Sequence, residues 1–147
     1  MNKTSALAPC LALALALPAA HAADEHVALI KNVTGRVHIV RGGGDILAAV
    51  GTEVQPSDEL ASEAGASAGV VFRDGTLLTL GQSSRLKVRD YVYEPRDKHY
   101  AFSVYLAKGQ AIYESGRIGK LAPESVKVDT PTSTVGVRGT KFIVTAE

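Results

Sequence analysis

Four histidines and fifteen acidic residues are the side chains of this 147-residue chain best suited to moving protons or holding a metal, and their spacing organises neither task. No two of His21, His26, His38 and His99 stand at the i, i+4 separation of a zinc-binding helix face. Asp58 and Glu59, with Glu53 nearby, form a close acidic grouping, and in turn-rich sequence such carboxylates solvate a loop. Asp74 is also an acid, but its position before Gly75 marks it as a turn former. The chain has no Gly-x-Ser-x-Gly elbow, no P-loop and no Asp-rich calcium loop, and Arg41-Gly-Gly-Gly-Asp45 lacks dinucleotide-site spacing. These residues predict no enzyme, no cofactor and no metal.

One array does suggest binding. Arg85, Lys87, Arg89, Tyr91 and Tyr93 alternate with Leu86, Val88 and Val92, which places three cations and two aromatics on one face of a strand. Such a stripe can stack on sugar rings or grip an anionic polymer, and it can equally be a solvated face whose long side chains cover neighbouring strands. Net charge limits the partner. The sequence holds 16 basic and 15 acidic residues, and beyond the N-terminal stretch containing Lys3 the two balance. A polybasic nucleic-acid binder is excluded, and any membrane contact is peripheral at most.

The elements that position these side chains are strands, because the dominant hydrophobic period is two. Phe102, Val104 and Leu106 alternate with polar or small residues, as do Val126 and Val128, and Val37 and Ile39. Asp74-Gly75 predicts a two-residue type I′ hairpin loop that pairs Phe72 with Leu77 and Val71 with Leu78, in strands apolar on both faces. Lys108-Gly109 predicts a second turn, joining Val104–Ala107 to Gln110–Tyr113. Helix is expected for no more than one turn, near Ala61–Ala66. The fold expectation is a single all-β domain: an antiparallel sandwich or roll, or a short β-solenoid.

Residues 1–22 read as a signal peptide. Lys3 is the positive n-region, Leu11–Leu17 the apolar run and Ala20-His21-Ala22 the small-x-small cleavage site. The run is too short for a membrane span, which needs about 20 apolar residues. Cys10 precedes the apolar run and so does not fit a lipid-anchor site. Cleavage before Ala23 removes this only cysteine, which predicts an exported chain, periplasmic or alternatively extracellular, without disulfides.

Two segments stand out together. One is Val33-Thr-Gly-Arg-Val37, continuing through Val50-Gly51, Ser57-Asp58-Glu59-Leu60 and Ala68-Gly-Val-Val-Phe-Arg-Asp-Gly-Thr-Leu77 to Leu86-Lys-Val88. The other, more specific, is Val128-Asp-Thr-Pro-Thr-Ser-Thr-Val-Gly-Val-Arg-Gly-Thr-Lys-Phe142. Together they resemble the FecR domain, named for the periplasmic part of the iron-dicitrate transport regulator. The resemblance implies an all-β domain over residues 33–147 acting as a non-catalytic protein-interaction or sensory module of envelope signalling. Its partner would be an envelope protein; the alternative is a glycan or cell-wall ligand. The namesake crosses the inner membrane, whereas no apolar run of spanning length follows residue 22 here, so the likeness is to stand-alone family members. Family domains continue past the Gly-Thr-Lys-Phe strand, so a chain stopping at Glu147 is expected either to be incomplete or to offer an open strand edge.

The motif residues Asp74, Gly75, Thr130, Pro131, Gly136, Arg138 and Gly139 read as structural. Pro131 fixes its own φ and holds Thr130 extended. Gly136 and Gly139 allow backbone geometry closed to other residues, and Arg138 between them is expected to hydrogen-bond strand-end carbonyls or a carboxylate.

Overall fold

The structure, a computed structural model, describes residues 26–147; the leader read in residues 1–22 lies outside the described residues. Twelve strands follow in chain order. They are β1 Ala28–Thr34, β2 Val37–Arg41, β3 Gly44–Leu47, β4 Glu53–Val54, β5 Glu59–Ser62 and β6 Ser67–Phe72. After them come β7 Leu77–Leu80, β8 Arg85–Glu94 and β9 His99–Glu114, a short helix α1 Arg117–Leu121, and then β10 Val126–Asp129, β11 Thr134–Gly136 and β12 Lys141–Ala146. The strands form one sheet curled into a half-barrel, as the all-β expectation requires. The path runs β3-β2-β5-β8-β9-β7-β6-β1-β4, with β10 and β12 on β9 and β11 on β10. All pairs are antiparallel except β9 with β10.

The alternation read in the sequence is the alternation of the core. Leu60, Leu86 and Leu106 come from paired strands β5, β8 and β9 and point inward with Val37, Ile39, Phe102, Val104, Val126 and Val128. Each such buried aliphatic side chain contributes about 1.5–3 kcal/mol. Phe102 contacts Phe72 edge-on at 4.9 Å and Tyr113 at 5.5 Å, joining both halves of the curled sheet.

Three local expectations are corrected. Lys108-Gly109 is not a turn, because β9 runs through it without a break. Gly109 has φ +91, and a Cβ there would fall inside the Ser84 side chain; the Ser84 hydroxyl instead accepts the Gln110 N–H at 2.9 Å. The glycine therefore bends β9, whose first half pairs with β8 and β10 and whose second half pairs with β7 and β12. The helix lies at Arg117–Leu121, while Ala61–Ala66 is strand end and turn. The β6–β7 loop has three residues, since the Phe72 N–H donates to Thr76 O at 2.9 Å and Val71 pairs with Leu77. Gly75, at φ +84, takes the left-handed third position of such a loop. The register thus shifts by one from the two-residue prediction. The outer face of this hairpin, at Val71 and Leu77, is half-buried rather than enclosed.

Asp58 also departs from its loop-solvating reading. It is 1% exposed and takes a two-pronged ion pair from Arg41, Nε to Oδ1 at 2.9 Å and Nη2 to Oδ2 at 2.7 Å. Arg41 Nη2 also donates to Glu53 O at 3.0 Å, tying β2 to β4, an end strand of the sheet path.

Candidate functional site

The cation stripe on β8 is built by cross-strand register. Lys87 stands opposite Glu59 on β5 and Tyr105 on β9. Arg85 Nε lies 3.3 Å from Glu59. Arg89 pairs with Asp129 at 3.1 Å, and its guanidinium carbon sits 4.2 Å from the Tyr105 ring centre. Glu59, Arg85, Lys87, Arg89 and Tyr105, with Ser57 and Ala107, line a groove of about 440 Å³. Among the described residues Lys87 is the one cation of the three outside an ion pair.

Tyr91 does not belong to this face. Val88 pairs with Val104 but Asp90 pairs with Ser103, so Arg89 is an extra residue and the register shifts. A bulge of this kind reverses side-chain parity beyond it. Tyr91 therefore turns inward to 9% exposure, its ring 5.4 Å from Phe72 and 6.2 Å from Phe102. Tyr93 is half-buried, 6.1 Å from the Tyr100 ring. The exposed array is Arg85, Lys87 and Arg89, beside the half-buried Tyr105. The outward place of Tyr105 between inward Val104 and Leu106 was available in the alternation.

Inverting Tyr91 completes a buried polar centre at Asp74, which is 3% exposed. The Tyr91 hydroxyl accepts the Asp74 N–H at 2.8 Å and donates to Asp74 Oδ1 at 3.1 Å. Burial, followed by the field of the adjacent carboxylate, pushes the Tyr91 phenol pKa far above its ordinary value. Asp74 Oδ2 takes the Thr76 hydroxyl at 2.7 Å and the Ile118 N–H at 3.0 Å, while Asp74 O takes the Arg117 N–H at 2.9 Å. Arg117 and Ile118 open α1, whose preceding residue, Gly116, offers no capping side chain. A carboxylate from the β6–β7 turn thus caps a helix 44 residues away. A Cβ on Gly116 would overlap the Thr76 backbone, so that glycine permits the approach. Both carboxylate oxygens of Asp74 accept hydrogen bonds from within the fold.

The Thr130–Phe142 segment has the opposite character. Thr130 and Pro131 begin a tight turn, in which Thr130 N–H donates to Ser133 O at 2.8 Å. Gly139, at φ +127, needs glycine; Gly136 has ordinary φ and open space where a Cβ would sit. Ser115 holds this stretch through its N–H to Thr140 O at 2.8 Å and its hydroxyl to Gly139 O at 2.9 Å. Arg138 is exposed and makes no hydrogen bond or ion pair among the described residues, which corrects the expectation that it organises strand ends. It lines two grooves, of about 550 and 370 Å³, on either flank of β11. β11 pairs only with β10 and β12 only with β9, so each leaves a strand edge open among the described residues.

Among the described residues no group of three His, Cys, Asp or Glu is placed to hold a metal, and no helix is long and apolar enough to cross a membrane. An all-β curled sheet with a buried Asp-Gly-Thr turn and an Arg-bearing terminal segment is the architecture to be placed. The family model described as FecR protein matches residues 58–147, and the chain belongs to the FecR family, a family of envelope signalling and regulation. The match runs from Asp58 to the final residue, so it contains both the Asp74 turn and the Arg138 segment; the likeness at Val33–Val50 lies outside it. No curated protein and no solved structure matches the chain.

Proposed function

We propose that this chain is an exported, non-catalytic FecR-family module of the periplasm that binds an envelope protein by accepting a strand of that partner at the free edge of β12. The leader read in residues 1–22 supports export. The observation that carries the binding reading is the pairing of β12: six residues register with β9 from Lys141↔Glu114 to Ala146↔Gly109, and no strand lies on the other side among the described residues. An open edge presents unpaired N–H and C=O groups that a second extended chain can satisfy. Ile143, 60% exposed on this strand, adds apolar contact. The test is capture of a specific envelope protein by immobilised wild-type protein and by Ile143→Lys, which places a charge on the edge without touching the core. Loss of capture at unchanged thermal stability supports strand addition; equal capture by both removes it.

A second reading, attachment to an anionic cell-wall glycan, is supported by the Arg85, Lys87, Arg89 and Tyr105 groove. Burial of Tyr91 removes one of its two expected stacking platforms, and Arg89 covers a face of Tyr105. Co-sedimentation with purified peptidoglycan, released by salt and lost in Lys87→Glu, would favour this reading.

A further inference from the structure

We infer that the groove between β11 and β12 selects an acidic strand: an extended segment of another protein that carries an aspartate or glutamate side chain received by Arg138. The inference rests on the strand-addition reading and specifies its ligand. The groove of about 370 Å³ is lined on one side by Thr130, Ser133, Val135 and Gly136, and on the other by Phe142 through Thr145. These walls are apolar and hydroxyl-bearing, suited to the alternating side chains of a β-strand. Arg138 is the sole charged residue of the lining.

A lone cation in such a place has three ways to be satisfied: an internal carboxylate, water, or a ligand. The first is not used. Like Lys87 and most other surface cations, Arg138 has no acid within ion-pair distance among the described residues; what sets it apart is its place as the single charge in the lining of a groove beside an open strand edge. Arg138 is exposed, with open space above its neighbours Gly136 and Gly139, and so presents a planar, two-pronged carboxylate receptor beside an open strand edge. A strand laid against β12 brings its own side chains over the groove at every second position. An acidic side chain in that row finds Arg138 as its only charged neighbour in the lining, a basic one meets like charge, and a neutral one gains only the edge hydrogen bonds.

The test uses short, fluorescein-labelled alternating valine–threonine peptides, blocked at both ends, with a central aspartate, asparagine or lysine. They are titrated into the purified full chain, and backbone amide shifts locate the contact. Expected is contact at the β12 amides, with the aspartate peptide bound about tenfold tighter than the asparagine peptide and the lysine peptide weakest. Arg138→Ala should erase that difference without changing asparagine-peptide binding, and Arg138→Lys should retain part of it. Equal binding of the three peptides at β12 overturns the acidic selection and leaves strand addition standing. Peptide contacts elsewhere, or none, with a partner still captured by Ile143→Lys, overturn strand addition itself. Aspartate selectivity that survives Arg138→Ala overturns the role given to Arg138.

Discussion

The two motif segments of this family member meet water in opposite ways. Asp74 and Thr76 of the Asp-Gly-Thr turn are buried, and the carboxylate is saturated by a hydroxyl of its own hairpin, a phenol from β8 and an amide of α1. The segment around Arg138 is exposed apart from Val137, borders two grooves and ends in strand edges without neighbours among the described residues. Both lie within the residues that match the family model. The contrast separates two kinds of placement within one matched region: one segment ties the half-barrel to α1, and the other leaves its arginine on an open surface.

The sharpest way to break that comparison is at Asp74. Asp74→Ala strands the Thr76 and Tyr91 hydroxyls and leaves the Ile118 N–H at the start of α1 without its partner. A buried centre losing several partners at once should cost about 3–5 kcal/mol, read as a lowered midpoint in urea unfolding. Near-wild-type stability would mean that the turn, not the carboxylate, is what matters.

The next effects are steric and ionic. Gly109→Ala must displace Ser84 and adopt φ +91, and should cost about 2–3 kcal/mol by the same measurement. Asp58→Asn weakens a buried ion pair whose arginine can still reach water, and about 2 kcal/mol is expected. Inside the terminal motif, Gly139→Ala should cost about 1 kcal/mol because φ is +127, whereas Gly136→Ala should be nearly neutral.

These positions also show where sequence reasoning reached and where it stopped. Period-two alternation identified Phe102, Val104, Leu106, Val126 and Val128 as core, because each lies in a run without an inserted residue. It failed at Tyr91, where the bulge at Arg89 adds one residue and reverses every later side chain. Gly109 has the composition of a turn but bends a continuous strand, since the space it vacates is taken by Ser84, distant in sequence. Asp74 sits before a glycine as any turn former does, and its second duty, capping α1, depends on a partner 44 residues on. Long-range partners of this kind leave no local periodicity.

On the exposed side of the comparison, charge should contribute little and should answer to pH. His38 Nδ1 lies 2.9 Å from Asp45 and Nε2 3.1 Å from Glu63, so both nitrogens have carboxylate partners only as imidazolium. The hydrogen bond to Glu63, then that to Asp45, raises its pKa above 6.5. The protonated form is thus favoured in the folded state. Its stabilisation is fully present below pH 6.5, the unfolded value, and is lost as pH rises through the higher folded value. Unfolding midpoints should therefore fall slightly across that window in wild type but not in His38→Ala, and salt should flatten the difference because the site is exposed. A larger loss on the acid side would reverse the assignment.

The smallest expected change is the most informative. Arg138→Ala removes a side chain with no partner among the described residues, so its effect on folding should stay within about 0.5 kcal/mol, the range of ordinary surface substitutions. A side chain that hydrogen-bonded strand-end carbonyls would instead cost about 1–3 kcal/mol on removal. The urea midpoint separates the two, and Asp74→Ala measured beside it supplies the scale. A silent Arg138→Ala that nevertheless loses its acidic peptide would show that this arginine serves the partner rather than the fold. A destabilised one would place Arg138 with Asp74 and collapse the distinction between the two segments.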